Sequence, residues 1–153
     1  MQLDHRDLKL LNLLQANSRM SNADLAASVG MSTSALWRRV RSFEEGGLIE
    51  RYGAIVNPVA LGLEFEAIVH VQLTRHDPEK MQVFISAIER NPDVQECFAT
   101  TGQADYHLRV LCKNLTAYNA FLEDFLFRLP AVSSAQTNVI LKSVKRNRPI
   151  MLG

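Results

Sequence analysis

Residues 24–50 read DLAASVGMSTSALWRRVRSFEEGGLIE, punctuated as two short helices joined by a tight turn. Ser21 and Asp24 form a capping pair that opens the first helix, Ala26 is small enough for the next helix to cross closely, and Gly30 supplies the turn. The second helix, Ser32 to Gly47, carries Trp37, Arg38, Arg39 and Arg41. Helix-turn-helix units place their second helix in the major groove of DNA, so its outer face is the first candidate binding surface.

Upstream of that unit, Leu11 and Leu14 continue the helical period, and Asp4 with Asp7 repeats the capping spacing of Ser21 with Asp24. A first helix over Asp4 to Ala16 follows, giving a three-helix domain over residues 1–50. Gly46-Gly47 ends it. Residues 51–64 form a linker: Glu50 to Val56 is β-prone, then Asn57-Pro58 and Leu61-Gly62 turn the chain.

From residue 65 to 153 the order strand, helix, strand occurs twice. Ala67 to Leu73 alternates, Asp77-Pro78 opens a helix with Met81, Phe84, Ile85 and Ile88 on one face, Asn91-Pro92 stops it, and Val94 to Thr101 reads as a strand. The second half has a strand with Tyr106, Leu108 and Val110 on one face. A helix carrying Tyr118, Phe121, Leu122, Phe125 and Leu129 stops at Pro130, and a last strand is expected over Val139 to Val144. Two such halves give an α+β, ferredoxin-like βαββαβ domain behind the helix-turn-helix. Helices cover one sheet face, and the uncovered face invites dimerisation.

Composition bounds the function. The chain has 153 residues, 47% apolar, and a formal charge of +1. The first 57 residues hold seven basic and six acidic side chains, so no global field announces a nucleic-acid binder and the placement of charges has to carry the argument. Lys142, Lys145, Arg146 and Arg148 form a second basic cluster, read as solvated surface. No apolar run reaches membrane-spanning length and the first residues, MQLDHRD, lack a signal-peptide pattern, so a cytoplasmic protein without membrane contact is expected. Cys97 and Cys112 lie in strand-like segments and are read as reduced core thiols. No Cys/His spacing suggests zinc, and no metal or cofactor is expected. His5, His70, His76 and His107 are scattered and no nucleophile–base set is recognisable, so an enzyme is not expected.

Helical geometry ranks the basic residues. At 100° per residue Leu36, Val40 and Phe43 share the core face. Ser34, Arg38, Arg41 and Glu45 fall opposite, Trp37 on a flank, and Arg39 near the core edge. Arg38 is placed to read a guanine edge, and Arg41, one turn deeper, a base or a phosphate. Arg39 is expected to pair with Glu44 or Asp24. Trp37 is read as a packing or backbone-contacting residue, Ser32 as the N-cap, and Thr33, Ser34 and Asn22 as phosphate contacts. The candidate DNA-binding set is therefore Asn22, Thr33, Ser34, Trp37, Arg38, Arg39 and Arg41. A second site is the loop Thr101-Gly102-Gln103-Ala104-Asp105, which reads by itself as a hairpin with Gly102 at positive φ and Asp105 bonded to turn backbone.

A wider set recurs together: Leu3-Asp4 with Asp7, Leu10-Leu11, Leu14-Gln15, Arg19, Ser21-Asn22, Leu25, Val29-Gly30, Ser32, Arg39-Val40, Glu44, Gly47 and Ile49. Downstream come Tyr52, Asn57-Pro58, Gly62, Thr101-Gly102, Asp105-Tyr106, Leu129-Pro130 and Val139. In this combination the chain resembles the Lrp/AsnC, or feast/famine, transcriptional regulators over nearly its whole length. The resemblance implies a DNA-binding dimer that assembles to an octamer or similar, with an amino acid bound near the loop. Gly102, Gln103, Ala104, Asp105 and Tyr106 are the implied effector residues, with Thr137 and Asn138 lining the same pocket from a neighbouring subunit. Departures include Gln103, where the family is often acidic, Phe43 for a common Leu, and Leu36 for a common Cys. The operator is expected to be a loose palindrome with half-sites about 34–36 Å apart. Two alternatives stand beside this reading: a sirohaem decarboxylase of related architecture, with His70 and His107 facing a tetrapyrrole, and a sensing module without DNA binding.

Overall fold

The computed structural model describes residues 2–74, 77–146 and 148–153. His76, one of the four histidines, lies outside them. The chain forms two compact units, Met1–Ile55 with Val144–Gly153, and Val56–Ser143.

The first unit holds three helices, α1 (His5–Ala16), α2 (Asn22–Val29) and α3 (Thr33–Glu45). Their starts follow from side-chain caps. Asp4 accepts from the Asp7 N–H while the Asp7 carboxylate accepts from the Asp4 N–H, a reciprocal capping box, and Ser21 and Ser32 each cap the helix that follows. Gly30 ends α2 in the left-handed region at φ 66°, which lets the Met31 N–H reach the Ala26 carbonyl. Leu10, Leu11, Leu25, Ala26, Val29, Leu36 and Phe43 form the core. The last residues of the chain return to this unit: Asn12 donates to the Leu152 carbonyl (2.9 Å), Gln15 exchanges two hydrogen bonds with the Ile150 backbone (3.0 and 2.8 Å), and Leu152 packs on the core.

The structure thus divides the chain differently from the 1–50, 51–64, 65–153 reading. The tail carries no periodic pattern, and its attachment depends on amides of α1 some 135 residues away, which local reading does not connect. Glu50 to Val56 forms no strand, and among the described residues none of the four strands of the sheet pairs with it.

The second unit is a four-stranded antiparallel sheet: β1 (Phe65–Leu73), β2 (Val94–Ala99), β3 (Tyr106–Cys112) and β4 (Val132–Val139), in the order β2-β3-β1-β4. Helix α4 (Pro78–Arg90) starts at the Asp77 cap with Pro78 in its first turn. Helix α5 (Leu115–Ala120) runs on into a π-turn over Phe121–Phe125 and a 3-10 turn over Leu126–Arg128, so the long helix expected there is broken by its own register change. Ala67, Val69, Val71, Leu108 and Val110 face the helices and bury with Phe84, Ile88, Tyr118 and Phe121.

Two further differences concern strands and thiols. The last strand is Val132–Val139 and not Val139 to Val144, because its Ser133, Ser134, Gln136 and Asn138 disguise it as a loop, and pairing to β1 holds it. Cys112 is buried as expected, but Cys97 is exposed on the edge strand β2.

Candidate nucleic-acid interface and ligand loop

On α3 the core face is Leu36 and Phe43, both fully buried, with Val40 half-buried. Thr33, Ser34, Trp37, Arg38 and Arg41 are exposed on the rest of the helix, as is Asn22 at the start of α2. Asn22, Thr33, Ser34, Trp37 and Arg38 together line one open concave surface. That surface joins the first turn of α2 to the first two turns of α3. Its backbone N–H groups at two helix starts and its hydroxyl and guanidinium donors suit an anionic polymer.

The three arginines have different fates. No hydrogen bond or ion pair fixes Arg38 among the described residues. Arg41 is paired with Glu45 one turn on (2.7 Å), and its guanidinium lies 5.3 Å from the centroid of Trp37. Both ends of that pair are more than half exposed, so it contributes about 0–1 kcal/mol and yields readily to a stronger anion. Arg39 turns inward. Its Nε donates to Asp7 Oδ1 (2.6 Å), a second N–H reaches Asp7 Oδ2, a third bond goes to the Gln2 carbonyl, and its guanidinium lies over Phe43.

Asp7 is the one buried charged residue of the chain among those described. The hydrogen bond from Arg39 holds its carboxyl below the ordinary value of 3.8. The expected partners of Arg39, Glu44 and Asp24, are occupied elsewhere: Glu44 accepts from the Tyr52 hydroxyl (2.9 Å), and Asp24 from Ser21 (2.6 Å). Desolvation, then that bond to Glu44, pushes the Tyr52 hydroxyl to about 12. Arg39 is therefore set apart from the exposed candidates of α3. The pairing was missed because Asp7 looks in sequence like a capping residue only, and it serves both roles.

In the second unit, residues 100–105 join β2 to β3. Gly102 has φ 127°, where a side chain would be strained. Asp105 is a structural joint: its N–H donates to the Val71 carbonyl (2.9 Å), its carbonyl accepts from Thr100, and its carboxylate accepts the Leu73 N–H (2.8 Å) where the β1–β4 register shifts. The hairpin reading has this side chain bonded within the turn, whereas its carboxylate reaches the backbone of the neighbouring strand β1.

The expected effector residues divide between the two sheet faces. Gln103, Ala104 and Asn138 line an open cavity of about 490 Å³ with Thr101, His70 and Gln136 on the face not covered by helices. Asp105 and Tyr106 border a smaller one beside Leu73 and Met81, where the Tyr106 ring packs on Phe84 at 5.1 Å. Thr137 stands opposite Val69 on the helix-covered face and hydrogen-bonds the Tyr118 hydroxyl (2.6 Å). Thr137 and Asn138 are neighbours on one strand, so period-two alternation sends them to opposite faces and they do not line one cavity of this chain. Gln72 and Gln136 escaped the sequence reading, and His70 was considered only beside His107, because they join the cavity through the β1–β4 register. His70 and His107 are directly opposed across β1 and β3, their rings in edge contact at 4.6 Å, with Asn138 on His70 Nε2 (2.8 Å).

Comparison with known proteins agrees with this layout. Residues 3–50 match the winged helix-turn-helix DNA-binding model, and residues 66–150 match the Lrp/AsnC ligand binding domain. The chain is 35% identical over 150 residues to the leucine-responsive regulatory protein of Haemophilus influenzae, covering 98% of this chain and 90% of that one. To the transcriptional regulator AzlB of Bacillus subtilis it is 33% identical over 144 residues, covering 94% and 92%. Among solved structures, a transcriptional regulator of Neisseria meningitidis in complex with L-Met superposes with a TM-score of 0.90 at 31% identity, covering 95% of this chain and 94% of that one. A helix-turn-helix domain followed by a ligand-binding α+β domain defines a DNA-binding transcriptional regulator. The chain belongs to the Lrp/AsnC family. No helix among the described residues is long and apolar enough to cross a membrane.

Proposed function

We propose that this regulator docks α3 in the major groove, with Arg38 reading a base edge, Arg41 and Trp37 on the backbone, and Asn22, Thr33 and Ser34 on phosphates. The shared concave surface formed by Asn22, Thr33, Ser34, Trp37 and Arg38 carries the reading. Arg39 supports it from behind by fixing α3 to α1 through Asp7.

A homodimer brings two such helices to a loosely palindromic operator in the cytoplasm, and the uncovered sheet face supplies the contact between copies, with larger assemblies of dimers built upon it. The near-neutral chain gains DNA affinity by pairing its recognition helices. A small effector, an amino acid as in the Neisseria relative, binds at the Gly102 to Asp105 loop. It shifts the balance between assemblies by its differential affinity for them. Asp105 orders the loop, and N–H groups around Gly102 meet the effector carboxylate. The regulatory reading takes precedence over tetrapyrrole chemistry because the relatives above are transcriptional regulators and His70 Nε2 is engaged by Asn138.

The test is operator selection from a random DNA pool followed by footprinting of variants. Arg38→Ala is expected to weaken binding and relax preference at one base step, whereas Arg41→Ala weakens binding across sequences and flattens its salt dependence. Unchanged footprints for both variants would overturn the assignment.

A further inference from the structure

We propose that the tail returning to the helical unit is a second DNA-binding element, with Lys145, Arg146 and Arg148 on backbone phosphates flanking the groove that α3 enters. The inference rests on the reading of α3 as the recognition helix. It gives a partner to the basic cluster expected as solvated surface. Charge is the first ground. The chain as a whole carries +1, but its two units do not share that charge. Residues 1–55 with 144–153 hold ten basic and six acidic side chains, a formal +4, whereas residues 56–143 hold seven and ten, a formal −3. The tail makes most of the difference: Val144–Gly153 brings three cations and no acidic side chain, and without it the helical unit would stand at +1. Lys142, the fourth member of the cluster, belongs to the sheet unit. A segment that supplies most of the net positive charge of a DNA-reading unit has the composition of a phosphate contact.

Placement is the second ground. Backbone atoms of Ile150 and Leu152, with the Leu152 side chain, hold the tail, which leaves the cations out of the attachment. Lys145 and Arg148 are exposed, and no ion pair engages either among the described residues. The tail runs antiparallel to α1, Leu152 beside Asn12 and Ile150 beside Gln15, so the chain before Ile150 leads past Ala16 toward the turn that opens α2. Pro149 biases Arg148 to extended backbone, and two extended residues reach about 7 Å, enough to clear the end of the helix. Ser18 in that turn borders both the surface holding Ile150 and Leu152 and the one formed with Trp37 and Arg41. Asn22 carries the latter on to Thr33, Ser34 and Arg38. One continuous face therefore connects the tail to the recognition residues, and the exposed Arg19 belongs to the turn between them. Long cationic side chains on an anchored segment suit phosphates, which add affinity and carry no sequence information. Anchoring at Ile150 and Leu152 lowers the ordering cost of such a contact.

The test measures binding of the full chain to its selected operator and to a random-sequence duplex over a range of salt concentrations. Lys145→Gln with Arg148→Gln is expected to lower the log–log salt slope by about 2 for each chain on the DNA, on both duplexes. Preferred sequence and melting temperature stay as in the parent. Hydroxyl-radical footprints are expected to lose protection at the flanks of the site and to retain it beneath α3. Arg6→Gln with Lys9→Gln removes the same charge from exposed positions of α1 outside these surfaces, and is expected to leave slope and flanks unchanged. Equal losses from the two pairs would reduce the tail to a share of the general field and overturn the proposal. An unaltered slope for the tail pair, with Arg38→Ala still weakening binding, overturns it and leaves the α3 reading standing. Silence of Arg38→Ala on a chain that binds overturns that reading, and the flanking position with it.

Discussion

Helix α3 and the loop from Thr101 to Asp105 present their functional candidates in opposite ways. On α3 one candidate, Arg39, is consumed by the fold, and the others stay on an exposed face that the buried Leu36 and Phe43 hold in place. In the loop the more chemically suggestive residue, Asp105, is already bonded to backbone on both sides, and what faces the open cavity comes largely from neighbouring strands. A helix separates scaffold from reader by periodicity. A loop has no period, and here its acidic residue is spent on the backbone of the strand beside it.

The largest expected effect tests the scaffold side of that contrast. Asp7→Ala leaves Arg39 without its carboxylate and is expected to cost the helical unit about 1.5–3 kcal/mol, read from urea unfolding. Loss of less than about 1 kcal/mol would place Arg39 back among the solvated arginines. The same pair sets an acid limit. Because the folded state holds the Asp7 carboxyl below its ordinary 3.8, the unfolded chain takes up the proton first. The contribution is complete above that ordinary value and disappears as pH falls through the lower folded one, a loss that the Asp7→Ala variant should not display.

Next in size, Arg38→Ala is expected to lose about 1–3 kcal/mol of base discrimination with an unaltered melting curve. Asp105→Ala removes the acceptor of the Leu73 N–H and is expected to cost about 1–2 kcal/mol of stability in the sheet unit, while Asp105→Asn, which retains an acceptor oxygen, costs less. If Asp105→Ala melts like the parent yet abolishes effector binding, the loop behaves like α3 and the contrast fails. The smallest change is Gln15→Ala, at most about 1 kcal/mol, seen best as faster tryptic cleavage after Lys145 or Arg146 once the tail loses its two bonds.

How much of this was legible in the sequence follows the same division. Caps at Asp4, Ser21, Ser32 and Asp77, the turn at Gly30 and the outward face of α3 are local or periodic, and each was readable. The βαββαβ order was readable as well, because β1 and β3 alternate cleanly. Strand β4 was misplaced since Ser133, Ser134, Gln136 and Asn138 carry no apolar alternation. The partner of Arg39 and the division of Thr137 from Asn138 between faces depend on register and on contacts far apart in sequence, to which composition is blind.

The return of Ile150 and Leu152 to α1 makes the helical unit discontinuous along the chain. During synthesis its three helices leave the ribosome first, but their last contacts wait until the whole sheet unit has been made, several seconds later at ~5–20 residues per second. A nascent chain released early, or clipped near its end, would carry complete recognition residues on a head lacking its final fastening. The order of translation thereby ties completion of the DNA-reading part to prior synthesis of the part that senses.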